Sequence, residues 1–147
     1  MMLDLDKKNI ISLLKIDDPF LLIDEVINII PGESGTGIKS IDENEWFYKS
    51  HFTDQGIMPG SLLLEAMLQT TVSIIYSVKN LNIEKSLITK TSTNFYSKVS
   101  GAGKLKIESK IIENNRGIIK AKAITYFKKI KVSDGIFTYI IPSIFKI

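Results

Sequence analysis

His51-Phe52-Thr53-Asp54-Gln55-Gly56-Ile57-Met58-Pro59-Gly60-Ser61-Leu62-Leu63-Leu64-Glu65-Ala66-Met67-Leu68-Gln69 is the stretch on which the reading of this chain turns. A polar loop holding the only histidine runs directly into an apolar segment whose pattern predicts a long helix over residues 59–76. Pro59 suits the first turn of that helix, where its missing N–H has no intrahelical acceptor. Glu65 is then a lone carboxylate on the second turn, among Leu62, Leu63, Leu64, Ala66, Met67 and Leu68.

Those residue types in that order carry a specific chemistry. Desolvation favours the neutral form of a carboxyl group, so Glu65 is a candidate acid near neutral pH. An ordinary imidazole titrates close to neutrality and serves as a base. The helix N-terminus, opened to a ligand by the small Gly60, offers an N–H to a carbonyl oxygen that gains negative charge. Together they describe proton abstraction beside a carbonyl, coupled to loss or gain of a hydroxyl. The plainer reading of a lone loop histidine is a structural or exposed side chain. A carboxylate inside an apolar helix is harder to set aside, because burying it unpaired is costly. Gln69, one turn after Glu65, either orients it by a hydrogen bond or sits at the helix surface. Tyr76 and Tyr96 read as packing residues.

Working outward, residues 6–14 predict a short amphipathic helix with Asp6 as N-cap. Strands are expected over 20–30, 36–41 and 45–48 before the loop, and over 86–96, 104–112, 117–129 and 131–139 after a polar link at 79–85. Turn signals stand at 100–103, 114–117 and 133–135. In Lys104-Leu105-Lys106-Ile107-Glu108-Ser109 polar and apolar residues alternate, so the sheet has one wet face. The pattern is α+β: one long apolar helix held against an antiparallel sheet, expected as a single domain over residues 1–147.

Composition narrows the function. With no Cys and a single His, thiolate chemistry, disulfides and multi-His metal sites within one chain are excluded. The net charge of +3 divides unevenly: residues 1–78 carry 5 Lys against 12 Asp and Glu, a net of −7, and residues 79–147 carry 13 Lys and Arg116 against 4 carboxylates, a net of +10. A basic half suggests an acidic partner. Its lysines alternate with apolar residues, and the single Arg is poor material for base readout, so nucleic acid is not expected; solvated strand faces are the plain reading. The start has acidic residues where a signal peptide needs basic ones, and the apolar run at 57–78 contains Glu65 and Gln69. A cytoplasmic protein without a membrane span is expected.

The ordered motifs resemble the hotdog-fold (3R)-hydroxyacyl-(acyl-carrier-protein) dehydratases of type II fatty acid synthesis. That family is marked by His-Phe-Pro in a loop, Met-Pro-Gly, then a helix with Glu-Ala-Met-x-Gln. Here they are His51-Phe52, Met58-Pro59-Gly60 and Glu65-Ala66-Met67-Leu68-Gln69, with the family's own spacing of 14 from His51 to Glu65. Pro19-Phe20-Leu21-Leu22-Ile23-Asp24 and Gly37-Ile38-Lys39 resemble its first two strand signatures. The family's next proline is replaced by Thr53, and Phe95-Tyr96-Ser97-Lys98-Val99-Ser100-Gly101-Ala102-Gly103 lacks two more, so a freer, more polar loop is expected.

The resemblance implies a hotdog fold, a curved antiparallel sheet wrapped around a long central helix. It implies reversible dehydration of a (3R)-3-hydroxyacyl thioester to the trans-2-enoyl thioester. In that reaction His51 takes the C2 proton, Glu65 acts on the departing hydroxyl, and the Gly60 N–H polarises the thioester carbonyl. Phe52, Met58, Pro59 and Gln69 would line the substrate. No metal or organic cofactor is expected, the substrate itself riding on the phosphopantetheine of acyl carrier protein or coenzyme A. A homodimer with His51 and Glu65 meeting across the interface is implied, with a hexamer built as a trimer of dimers as a larger form, and the acyl chain in a tunnel along the helix. The alternatives are a hotdog thioesterase and a non-catalytic protein that binds acyl carriers.

Overall fold

Helix α3, Gly60–Tyr76, is the axis around which the rest of the chain is arranged. The computed structural model describes residues 2–78 and 85–145; the expected polar link lies largely at 79–84, outside them. Buried residues occupy nearly every side of α3, among them Leu63, Ala66, Met67, Gln69, Thr70, Ser73 and Ile74. The polar side chains on its buried faces must find partners within the protein. Thr70, Thr71 and Ser73 do so by donating to the carbonyls of Ala66, Met67 and Gln69 at 2.8–2.9 Å.

Seven strands enclose this helix: β1 Leu3–Leu5, β2 Glu25–Ile30, β3 Ser34–Ile41, β4 Leu87–Phe95, β5 Gly103–Asn115, β6 Ile118–Phe127 and β7 Ile130–Ile140. They form one sheet in the order β1-β2-β3-β5-β6-β7-β4, every pair antiparallel. Alternation decides the faces. Leu105, Ile107 and Ser109 of β5 point to the helix, and Lys104, Lys106, Glu108 and Lys110 to the outside, as the pattern predicts. At Gly37 of β3 the sheet comes so close to α3 that a Cβ would collide with Thr70. The Thr71 and Ser109 hydroxyls, 2.8 Å apart, tie α3 to β5. The fold is the expected α+β hotdog.

Helix α1, Lys7–Leu14, starts where predicted: Asp6 accepts the Asn9 N–H at 2.8 Å while the Asn9 side chain accepts the Asp6 N–H. It packs Ile10 and Leu14 against α3 in the main core with Leu22, Ile29, Met67 and Phe137. A smaller core gathers Ile41, Phe47, Tyr48, Met58, Leu63, Val99, Leu105 and Phe127 at the other end of α3. The chain ends on the short helix α4, Pro142–Phe145. Among the described residues, no helix is long and apolar enough to cross a membrane.

Several expectations are corrected. The strand at 45–48 is instead a helical turn, α2, Trp46–Ser50, whose Phe47 and Tyr48 fill the smaller core; three consecutive aromatics match a strand locally, but core packing decides. The strand expected from residue 20 begins only at Glu25, because Phe20, Leu21 and Leu22 are bound to a loop turn and to α3. Pro59 is the N-cap of α3, with ψ 139, and not part of its first turn. The turn signal at 133–135 lies inside β7, where Asp134 is bonded by Asn94, Tyr96 and Lys131 and a Cβ at Gly135 would strike the Phe137 ring. The chain turns instead at Lys128 and Lys129, both at positive φ (51° and 66°), between paired Phe127 and Ile130.

Candidate active site

Glu65 stands one helical turn before Gln69 on α3, and Gln69 is 1% exposed. Gln69 Oε1 accepts the Leu22 N–H at 2.8 Å, which orients the amide. Its Nε2 then donates to Phe20 O at 2.9 Å and to Glu65 Oε1 at 3.1 Å. Of the two readings of Gln69, the structure gives the orienting one. Burial pushes the Glu65 carboxyl above its ordinary range, and the Gln69 hydrogen bond opposes this in part. Leu68, Val72 and Tyr139 share with Glu65 a cavity of about 320 Å³. Tyr139 donates to Leu68 O at 3.2 Å, and burial drives its phenol strongly upward, so it stays neutral.

His51 caps the C-terminus of α2, donating its N–H to Phe47 O at 3.0 Å. Its Nδ1 lies 2.9 Å from Ile57 O. A carbonyl only accepts, so Nδ1 carries the hydrogen and the neutral ring keeps a lone pair on Nε2. The Phe52 ring, half exposed, lies 3.9 Å from the imidazole between centroids. The loop is more tightly bonded than its missing prolines predict. Phe52 and Gln55 exchange backbone bonds at 2.7 and 3.1 Å, Ile57 N–H reaches His51 O at 2.8 Å, and Met58 N–H reaches Val99 O at 2.9 Å. Tyr48 Oη bonds Gly101 O at 2.8 Å, fastening α2 to the loop before β5; burial pushes that phenol up to about 12.

Pro59 accepts from Leu62 and Leu63, while the N–H of Gly60, first residue of α3, has no intrahelical acceptor. Gly60, buried Met58, Leu63, Phe95, Tyr96 and Lys98 surround a second cavity of about 340 Å³. One chain therefore carries two groups of site residues: Gly60 and Met58 with the His51 loop at the start of α3, and Glu65 with Gln69 beside another cavity. Among the described residues, no hydrogen bond or ion pair joins His51 to Glu65. No group of three or more His, Cys, Asp or Glu among them could hold a metal ion.

The model of the FabA-like domain family matches residues 15–135. The chain belongs to the FabA-like family. Two similar FabA-like relatives carry the name 3-hydroxyacyl-(acyl-carrier-protein) dehydratase FabZ. The Myxococcus xanthus protein is 31% identical over 136 residues, covering 90% of this chain and 89% of its own, and the Shewanella woodyi protein is 39% identical over 117, covering 78% and 77%. Among solved structures, a sigma28-regulated virulence protein of Campylobacter jejuni has a TM-score of 0.70 at 19% identity, covering 92% of this chain and 89% of that one. A hypothetical thioesterase of Streptococcus pneumoniae, solved with coenzyme A, has 0.64 at 12%, covering 79% and 83%. At those identities the two structures share the fold alone.

Sequence reasoning missed Tyr139, which reaches the Glu65 cavity from β7, and Tyr96 and Lys98, which line the cavity beside Gly60. Tyr96 is not the packing residue expected: it is 53% exposed and bonds Asp134 Oδ2 at 2.9 Å. No local signal marks these residues: Tyr139 is placed by the pairing of β7 with β4, and Tyr96 by its N–H on Val132 O at 2.8 Å.

Proposed function

We propose that this chain removes water reversibly from a (3R)-3-hydroxyacyl thioester to give the trans-2-enoyl thioester, with His51 as base and Glu65 as acid. The observation that carries the reading is Glu65 itself: a carboxyl held toward its neutral form by burial, one oxygen fixed by Gln69, beside an apolar cavity. His51 Nε2 takes the C2 proton, Glu65 gives a proton to the 3-hydroxyl, and the C3–O bond breaks as C2=C3 forms. The Gly60 N–H bonds the thioester oxygen while it carries the charge of the enolate. Met58 and Pro59 shape the approach to it, and Phe52 steadies the imidazole face. The step moves protons and a hydroxyl only, so it calls for no redox group and no resident cofactor.

Within one chain His51 and Glu65 are unpaired, and the reading therefore places the complete site between two copies. Strand β4 is the surface that would join them. It is a nine-residue edge strand with Leu87, Ile88 and Phe95 exposed by 42–50%, a form that free edges normally avoid. A second β4 alongside would continue the sheet and bring the partner's loop toward the Glu65 cavity. Three such dimers would make a hexamer. The thioester enters on acyl carrier protein, for which Lys98 supplies positive charge at the Gly60 cavity. The protein works as one unit in the cytoplasm.

Hydration of crotonyl thioester, on coenzyme A and on carrier protein, tests the reading. Loss of enoyl absorbance with a product heavier by one water supports it. Free crotonic acid would make it a thioesterase, and binding without conversion a non-catalytic acyl-carrier binder.

A further inference from the structure

The cavity beside Glu65 has a direction. Glu65, Leu68, Gln69, Val72 and Tyr76 line it from one face of α3, so it follows the helix for 11 residues, about 16 Å at 1.5 Å per residue. Leu14 and Ile16 form one wall, and Ile88 and Tyr139 the other. Its far end is built differently. Tyr76, 6% exposed, accepts the Ser86 N–H at 2.7 Å on its Oη, which also lies 2.9 Å from Ser86 Oγ. Beside it Lys85 Nζ reaches Leu14 O at 3.3 Å, tying the start of β4 to the end of α1. A phenol with two partners at its tip cannot swing aside as a free side chain does.

We propose that Tyr76 is a specificity-determining residue: its pinned ring is the stop that sets the longest acyl chain this site accepts. The proposal rests on the dehydratase reading for what fills the cavity. Glu65 acts at C3, so carbons beyond C3 extend along Leu68 and Val72 toward Tyr76. A chain that reaches the ring must displace it and break both bonds between Tyr76 Oη and Ser86. Shorter chains stop before it.

The test compares Tyr76→Ala, Tyr76→Phe and Val72→Phe with the unaltered protein on enoyl-coenzyme A substrates from crotonyl to hexadecenoyl. It is paired with calorimetric affinities for saturated acyl-coenzyme A of the same lengths. Tyr76→Ala should raise the ratio of kcat/KM on the longest chain to that on crotonyl by about tenfold or more, since each methylene a pocket admits or rejects is worth about that much. Tyr76→Phe keeps the bulk of the ring but removes the hydroxyl that pins it, and should raise the ratio in the same direction by less than Tyr76→Ala does. Val72→Phe should shift the optimum to shorter chains, which decides the matter if Tyr76→Ala does not fold. A folded Tyr76→Ala protein, or Val72→Phe where that one fails to fold, with the unaltered length profile in both turnover and affinity overturns the proposal. If no length is hydrated, the dehydratase reading falls, and the affinity profile alone then supports or overturns the stop.

Discussion

Gln69 Nε2 donates to Glu65 Oε1 at 3.1 Å while its own Oε1 accepts the Leu22 N–H, so one buried amide both holds the acid and anchors the segment before β2. Replacing Gln69 by Leu removes the bond that lowers the Glu65 pKa. The limb of the pH profile on which Glu65 loses its proton should therefore move to higher pH, with kcat reduced. Orphaning Leu22 N–H and Phe20 O should cost about 1–3 kcal/mol each in denaturant unfolding. A lower melting point with an unmoved pH profile would make Gln69 structural only.

Glu65→Gln and His51→Ala should each abolish dehydration in a folded protein, read as enoyl hydration beside circular dichroism. Near-normal turnover in either would remove that residue from the mechanism.

The Glu65→Gln variant also carries a stability signature. Because the folded pKa of Glu65 is raised, the native state holds its proton over a window in which the unfolded chain has released it. Stability then falls as pH rises from the unfolded carboxylate value, about 4.3, through the raised folded value. Melting temperatures of Glu65→Gln should lack that decline, so its advantage over the unaltered protein grows with pH across the window. Parallel curves for the two would refute the desolvated carboxyl.

If His51 of one chain works with Glu65 of the other, two inactive variants should complement. A dimer of one His51→Ala and one Glu65→Gln chain has one doubly defective site and one intact site. Random pairing makes about half the dimers mixed, giving roughly a quarter of full activity. No recovery, with mixed dimers confirmed by native mass spectrometry, would place the site within one chain.

Carrier docking through Lys98 should be sensitive to salt, since exposed charges more than roughly 10 Å apart are screened at about 0.1 M. KM for carrier-linked substrate should rise with salt and with Lys98→Glu, and KM for the coenzyme A thioester should rise less. Equal responses would argue against the docking site.

The tight turn between β6 and β7 offers a test of the fold itself. Lys128 and Lys129 are both held at positive φ, where a side chain costs about 1 kcal/mol or more and glycine does not. Lys129→Gly should raise the melting temperature by a few degrees. A loss of stability would mean that the Lys129 side chain makes a compensating contact.

Much of this was legible locally. Apolar spacing marked α3, Asp6 marked the start of α1, alternation marked the wet face of β5, and the ordered run from His51 to Gln69 pointed to a proton-transfer pair and a family. Each of these depends on neighbours within one helical turn or one strand period, which the order of residues alone specifies. The misread parts depend on distant partners. Trp46, Phe47 and Tyr48 form a helical turn because a core closed by Val99, Leu105 and Phe127 takes the rings of Phe47 and Tyr48. Two lysines make a turn because the β6–β7 ladder needs one there. The same division runs through the site. The residue types of His51, Glu65 and Gln69 come from the chain's order. The free Nε2 of His51, the neutral tendency of Glu65, the grip of Gln69 on Phe20 and Leu22, and the separation of the two groups within one chain exist only after folding, because desolvation and hydrogen-bond partners come from residues far apart in sequence and close in space.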